Sequence, residues 1–290
     1  MPSGTVKENL SLEEPVIAIT EKEAQGPVAD FYEDIRSTLG VPVVNLIWRH
    51  LATIPGSLEW CWTSLKPSYE SGAVDAEASI LKTRVSVSAD TILSKFCLES
   101  VGLSNDDLNS IKVVLNSYYR SNAMNLVSLS ALVMKLNGSV QTNETPFSKT
   151  SAARISNSIE GQMPYLMPLD DMPTHVRDLV IAINKIGGRE EILPSMYRHL
   201  ANWPAFLSLL YSILIPYEKE GLLERNIILG LDHARVSGVK LSQNIPDNLA
   251  VMSADSQSQT RSALERFVNG PIGKMTPIVP FILSSMDVSG

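Results

Sequence analysis

The chain has 290 residues, of which 44% are hydrophobic and 19% are charged. This composition supports a substantial core and excludes a disordered, collagen-like or low-complexity protein, and the length favours two domains or two copies of one unit. With 24 basic and 31 acidic residues the formal net charge is −7, which argues against a broad basic surface for nucleic acid. Two cysteines are too few for a disulfide framework, so we expect a reducing compartment.

Residues 1–26 carry five glutamates and no basic segment followed by an apolar stretch. They do not resemble a signal peptide, and we expect a flexible acidic arm. The longest apolar run, residues 203–216, is shorter than the roughly 20 residues that a membrane-spanning helix needs. We therefore expect a cytoplasmic protein without a membrane partner.

Helical periodicity dominates the rest of the chain. Phe31, Ile35 and Leu39 lie four residues apart and form one apolar stripe. Alternating patterns typical of strands are nearly absent, so we predict an all-α protein. The predicted helices of the first half cover residues 28–39, 43–53, 55–69, 75–87, 104–120 and 122–137.

Residues 138–172 are rich in Ser, Thr, Asn, Pro and Met and have no helical stripe, which predicts a linker. The linker separates a first helical unit, residues 27–137, from a second, residues 173–290.

The two halves repeat at an offset of 149 residues. Between residues 49–72 and 198–221 nine of 24 aligned positions are identical without a gap, including two prolines and a glycine, whereas about one or two identities are expected by chance. We therefore predict two tandem helical-bundle repeats related by a pseudo-twofold axis. The crevice between the repeats is the expected ligand site.

Motifs of dinucleotide, P-loop, zinc-protease and serine-hydrolase proteins are absent from the sequence. The titratable pairs present in both halves are Arg49 with His50 and Arg198 with His199. Each pair either packs at the contact between the repeats or supplies a histidine base and an arginine that neutralises an anionic substrate.

Three further polar sites occur in the sequence. Asn122 lies at a predicted break between two helices, where it either caps a helix or orients a water or a substrate carboxylate. Asp232 and His233 lack a third catalytic partner in the sequence, so we expect a structural role. Asp170 and Asp171 lie in the linker without the further ligands that a metal site needs. We expect no metal and no organic cofactor.

Several short segments resemble the group I 2-haloacid dehalogenases, which act on both D and L substrates. They are GVP at residues 40–42, RHLATIPG at 49–56, SN at 121–122 and above all LANWP at 200–204. The resemblance covers most of residues 27–137 and 173–286. It implies a helical tandem repeat with the site between the halves.

The resemblance also implies a reaction. In the family an aspartate activates a water that displaces the halide from C2 with inversion, while an asparagine and small pocket groups hold water and substrate. Asn122 matches the asparagine. The family's aspartate follows a serine and precedes the leucine of LANWP by four residues; here Ser195 is retained and Met196 follows it. A thioether cannot take a proton from water, and an aromatic residue of the family's pocket wall corresponds to Val43.

Two side chains near Met196 could replace the carboxylate. His199 lies three residues further along, on nearly the same helical face, and Glu191 lies on the preceding turn. We predict His199 and Asn122 as catalytic residues. The predicted substrate-binding residues are Ser195, Met196, Val43, Leu46 and Arg198.

The expected function is that of a dehalogenase-like protein that acts on or binds a small carboxylate-bearing molecule, diverged from hydrolytic dehalogenation. A non-catalytic binding protein and a structural or oligomerisation protein stay open as alternatives, as does a homodimer. We expect no nucleic-acid partner.

Overall fold

A computed structural model of the chain describes residues 16–138, 158–246 and 252–286. Within these ranges the protein is mostly helical, and an isolated bridge between Leu93 and Met286 is the one β feature. The predicted all-α class is confirmed. The predictions for residues 1–15 and 139–157, in the acidic arm and the linker, lie outside the described residues.

The described residues form twelve α-helices. In chain order they are α1 (Pro27–Leu39), α2 (Leu46–Leu51), α3 (Ser57–Glu70), α4 (Ala73–Val85), α5 (Lys95–Ser100), α6 (Asn105–Leu136), α7 (Thr174–Lys185), α8 (Ser195–Leu200), α9 (Pro204–Lys219), α10 (Leu222–Ser242), α11 (Ala254–Phe267) and α12 (Gly273–Ser285). A short 3₁₀ turn, Leu169–Asp171, precedes α7, and a π-helical turn, Val268–Ile272, joins α11 to α12.

Helix α6 is the longest, with 32 residues. A capping box starts it: the Ser104 hydroxyl accepts from the Asp107 backbone N–H, and the Asp107 carboxylate accepts from the Ser104 backbone N–H. The predicted break near Asn122 is wrong, because the helix runs through it without glycine or proline. Every residue from Ser121 to Val133 is buried. A helix enclosed on all sides needs no polar stripe, so a change of apolar face in the sequence does not mark its end.

Two hydrophobic cores stabilise the fold, and each contains side chains from both halves of the chain. The first core joins α1–α4 to the C-terminal half of α6 and to α11. The second joins α7–α9 to the N-terminal half of α6 and to α12. Helix α6, about 48 Å long at 1.5 Å per residue, therefore passes from one core into the other.

Two segments without α-helix lie against these helices. In residues 16–26 the Ile19 N–H donates to the Arg49 carbonyl at 3.1 Å, and the Tyr32 hydroxyl donates to the Ile19 carbonyl at 2.9 Å. In residues 158–172 the Ile159 N–H donates to the Gly40 carbonyl at 3.0 Å. The described part of the predicted arm and that of the predicted linker are thus hydrogen-bonded to the helices.

Across residues 16–138, 158–246 and 252–286 none of the helices combines the length and the hydropathy that a bilayer crossing requires.

Two glycines of α10 provide a matched test of how closely this helix packs. A Cβ on Gly238 would lie 2.9 Å from the Ser130 backbone carbon of α6, whereas a Cβ on Gly230 would meet the Val85 side chain at an ordinary 3.4 Å. We predict that Gly238→Ala lowers the free energy of unfolding by about 1–3 kcal/mol, because backbone cannot move aside. Gly230→Ala should be neutral or stabilising by up to about 1 kcal/mol, because alanine favours the helix.

Urea unfolding of both variants measures these effects. Equal unfolding midpoints for Gly238→Ala and Gly230→Ala would contradict the close approach of α10 to α6.

Candidate functional site

Two six-residue helices connect the two cores: α2 packs in the first core and α8 in the second. The Arg49 Nη2 of α2 donates to the Ser195 Oγ of α8 at 3.0 Å, and both residues are buried. This hydrogen bond joins the two halves of the chain directly.

A cavity of about 40 Å³, which we call the inner pocket, lies beside this contact. Because about 10–15 Å³ suffices for one water, the inner pocket has room for a few waters or for one end of a small molecule. Its lining consists of Asn45, Leu46, Ile47, Tyr118, Asn122, Ile192, Pro194, Ser195, Met196, Phe267, Pro271, Ile272 and Met275.

The lining of the inner pocket is arranged in pairs. Ten of the lining residues fall into five pairs that are 149 positions apart in sequence. The pairs are Asn45 with Pro194, Leu46 with Ser195, Ile47 with Met196, Tyr118 with Phe267 and Asn122 with Pro271. Residues that are equivalent at the 149-residue offset therefore line the same cavity.

Several polar atoms around the inner pocket have no hydrogen-bond partner among the described residues. The Asn122 Nδ2 and the Asn45 Oδ1 are buried and make no hydrogen bond with the described residues, and the buried Tyr118 hydroxyl interacts with Ser195. Burial raises the pKa of Tyr118, so its hydroxyl stays protonated and can donate. An unpaired buried polar group costs about 1–3 kcal/mol, which makes these atoms candidates for ligand contacts.

A second cavity of about 530 Å³, which we call the outer chamber, adjoins the inner pocket and shares Leu46 and Ile192 with it. The two segments without α-helix form much of its wall. The first contributes residues 16–18 and 20, and the second contributes residues 166 and 168–170. Arg49 and Arg198 also line it.

Neither arginine forms an ion pair with a described acidic residue. No Asp or Glu oxygen of the described residues lies within 4.0 Å of either guanidinium. The Arg49 Nε is buried without a hydrogen bond, and the Arg198 Nε donates to the Met167 carbonyl at 3.0 Å. Burial, and then the positive charge of Arg49, lower the pKa of Arg198. The site is therefore positively charged at the join of the two cavities.

His199 of α8 is buried beside this pair. Its Nδ1 lies 2.9 Å from the Pro164 carbonyl, which can only accept, so Nδ1 carries the proton and the Nε2 lone pair is free. Nε2 has no partner, and the ring lies 6.1 Å from the Tyr118 ring. Burial, opposed by the Pro164 hydrogen bond and reinforced by Arg49 and Arg198, lowers the pKa of His199 to about 4. The imidazole is therefore neutral near pH 7.

The structure brings together most of the predicted site residues. Leu46, Asn122, Ser195 and Met196 line the inner pocket. Arg198 lines the outer chamber, whereas Val43 and His199 are buried and line neither cavity. The catalytic and binding roles assigned to these seven residues stay predictions.

The other candidates from the sequence do not line the inner pocket. Glu191 is exposed at the outer chamber and accepts from the Arg266 Nε at 3.0 Å. His233 is buried beside Glu77, while its neighbour Asp232 pairs with Arg235 at the surface. Asp171 accepts from the Tyr165 hydroxyl at 2.8 Å. In the part of the chain that the structure describes, no three His, Cys, Asp or Glu side chains gather as metal ligands.

Sequence reasoning missed Asn45, Tyr118 and Phe267 as lining residues. The 149-residue offset already aligned Tyr118 with Phe267, so searching the repeat for paired positions near Asn122 would have found both. Asn45 left no such signal, because its counterpart Pro194 shares no chemistry with it.

Solved structures with the same fold are D-2-haloacid dehalogenases. One is a mutant in complex with D-2-CPA, which aligns with a TM-score of 0.79 at 16% identity over 93% of this chain and 96% of that chain. Another, a complex with L-LA, aligns with a TM-score of 0.71 at 16% identity over 93% and 96% of the two chains. This likeness establishes the fold.

Curated relatives agree with that class. A configuration-inverting 2-haloacid dehalogenase of Alcaligenes xylosoxydans xylosoxydans is 25% identical over 203 residues, covering 66% of this chain and 65% of the relative. An (R)-2-haloacid dehalogenase of Pseudomonas putida is 26% identical over 107 residues, covering 35% and 36%. The chain thus spans 65% and 36% of their lengths. No protein-family model matches the sequence. Both curated relatives are 2-haloacid dehalogenases, at low identity to this chain.

The depressed pKa of His199 predicts how stability depends on pH. Below its ordinary value of 6.5 the unfolded histidine binds a proton, whereas the folded one does so only near pH 4. The free energy of unfolding should therefore fall as pH drops from 6.5 to 4, with His199 contributing about 3 kcal/mol of that loss. His199→Gln should make this pH dependence shallower.

Urea unfolding at a series of pH values measures the slope. His175→Gln, at an exposed position, serves as the control. An identical slope in His199→Gln and the unmodified chain would refute the buried neutral state.

Proposed function

We propose that this dehalogenase-like protein binds a small carboxylate-bearing molecule where the inner pocket meets the outer chamber. The observation that carries the proposal is the state of Arg49. The residue is only 4% exposed, its Nε has no hydrogen-bond partner among the described residues, and no described carboxylate lies within 4.0 Å of its guanidinium. A buried charge without a partner is strongly destabilising. A ligand carboxylate supplies the missing charge and accepts from the guanidinium.

The position of the carboxylate defines where the rest of the ligand lies. Arg49 lines the outer chamber and also donates to Ser195, which lines the inner pocket. A carboxylate bound at Arg49 therefore has its neighbouring carbon, C2, at the opening of the inner pocket. The Asn122 Nδ2, which has no partner among the described residues, is then available for a polar substituent on C2, and Tyr118 lines the same pocket.

Met196 supports divergence from hydrolytic dehalogenation. It is fully buried and lines the inner pocket, at the position that the resemblance assigns to the water-activating aspartate. The thioether is a weak acceptor and cannot take a proton from water. Loss of a general base typically costs 10²–10⁴-fold in rate.

The proposal includes a tandem repeat with a pseudo-twofold axis through the inner pocket. The helix bounds support it. Helices α2 and α8 both begin and end 149 residues apart. The first residues of α6 and α11 are also 149 positions apart, and so are the last residues of α6 and α12. The five lining pairs follow the same offset. At this offset wall residues 17 and 20 of the outer chamber correspond to residues 166 and 169, so the repeat extends upstream of α1.

A second candidate function is dehalogenation with His199 as base. The unpaired Nε2 lone pair of a neutral imidazole favours it. His199 lies outside the lining of both cavities, however. We therefore rank binding above this reaction.

Arg49→Met tests the binding proposal. We predict that it weakens binding of 2-chloropropionate at least ten-fold, because the charged partner of the carboxylate is gone. The free energy of unfolding should stay unchanged or rise by about 1–4 kcal/mol, because an unpaired buried charge is removed. Titration calorimetry and urea unfolding measure the two quantities.

Arg235→Met is the control, since this arginine is exposed and pairs with Asp232. It should leave the binding of 2-chloropropionate unchanged. If the unmodified chain binds no small carboxylate, the proposed function is wrong.

Met196→Asp tests the divergence. We predict that the unmodified chain releases halide from either enantiomer of 2-chloropropionate near the background rate. Met196→Asp should raise the rate by a factor on the order of 10² or more, because a carboxylate can accept the proton of water. Met196→Asn is the control: asparagine has the size of aspartate, but its amide cannot accept the proton, so this variant should not raise the rate.

Rapid halide release by the unmodified chain would instead favour the second candidate. In that case release should disappear in His199→Ala and persist in Cys97→Ala.

A further inference from the structure

The outer chamber is far larger than a two- or three-carbon acid requires. It measures about 530 Å³, against about 40 Å³ for the inner pocket. Cavities of roughly 300–1,000 Å³ typically hold ligands of drug-like size. The proposed carboxylate and its C2 substituent leave most of the outer chamber unused.

The chamber walls are largely apolar. Leu166, Leu169 and Leu193 line them and are only partly buried, and Ile17 is 75% exposed. Apolar side chains with accessible surface around a concave space favour an apolar occupant, because its binding removes both surfaces from water. A ligand with an alkyl or aryl body therefore fits this space better than a polar one.

The charges of the chamber are separated. Arg49 donates to Ser195 of the inner pocket, and Arg198 follows Ser195 by three residues on α8, so the positive groups lie at the inner end. Asp170 and Glu191 also line the chamber and are exposed to solvent. Exposed acidic groups repel a second anionic group on the ligand, while the arginines attract the first.

From these observations we infer that the ligand is a monocarboxylate with an apolar body of several carbons. This inference rests on the proposed function. The carboxylate lies at Arg49 and Arg198, a small C2 substituent enters the inner pocket, and the apolar body lies along Ile17, Leu166, Leu169 and Leu193. The acidic residues exclude dicarboxylates of the same length.

A series of straight-chain acids tests the inference. Affinities of propionate, butyrate, hexanoate and octanoate for the full chain are measured by titration calorimetry. Burial of each methylene should strengthen binding about two- to four-fold, so octanoate should bind at least about 30-fold more tightly than propionate. Suberate, the eight-carbon dicarboxylate, should bind at least ten-fold more weakly than octanoate.

Two isoleucine variants test whether the dependence of binding on chain length arises in the outer chamber. Ile17→Ser should weaken octanoate binding several-fold, and more than it weakens propionate binding. Ile80→Ser, on α4, has a 47% exposed side chain that lines neither cavity, and it should leave the binding of both acids unchanged. Neither change removes a fully buried side chain, so both variants should fold.

Each outcome has a distinct meaning. Affinities that stay level from propionate to octanoate overturn the inference and leave the proposed function intact. Octanoate binding that persists in Arg49→Met, or suberate binding as tight as octanoate binding, overturns it as well. Failure of every acid in the series, with 2-chloropropionate, refutes the proposed function itself.

Discussion

The fold depends on one long buried helix. Helix α6 contributes its first half to one core and its second half to the other, so neither core is complete without it. Its middle carries Tyr118, Asn122 and Asn125, and the Trp48 indole N–H donates to Asn125 at 3.2 Å. Because apolar packing holds both ends of α6, its central turns can present polar side chains at the join of the cores. The same helix therefore completes both cores and carries part of the candidate site.

The candidate site concentrates groups that weaken the folded state. They are a buried guanidinium that no described carboxylate pairs with, a neutral buried histidine, and buried amide atoms without a partner among the described residues. Each carries a desolvation cost that apolar side chains would avoid. Binding sites commonly retain such costs, because the same groups interact with a ligand. The remaining described core is largely apolar.

Much of the fold could be predicted from the sequence. Apolar spacing located most helices of the first half, since that signal is local. The sequence could not reveal the continuity of α6, because a fully enclosed helix has no constant polar face. Nor did it indicate that each core contains both halves, which depends on how distant helices pack. For the site, Met196 and Asn122 were predicted from the resemblance of short segments to a known family, whereas Arg49 was predicted as a member of a repeated Arg-His pair. Its lack of an acidic partner became visible only in three dimensions.

The walls of the outer chamber have a consequence for how such proteins diversify. Its wall segments are anchored by main-chain groups, as in the Ile19 N–H to the Arg49 carbonyl and the Pro164 carbonyl to His199. Backbone hydrogen bonds make few demands on side-chain identity. Substitutions along these segments can reshape what the chamber accepts while the helices beneath keep their packing. Selection on ligand preference is thereby uncoupled from selection on the scaffold.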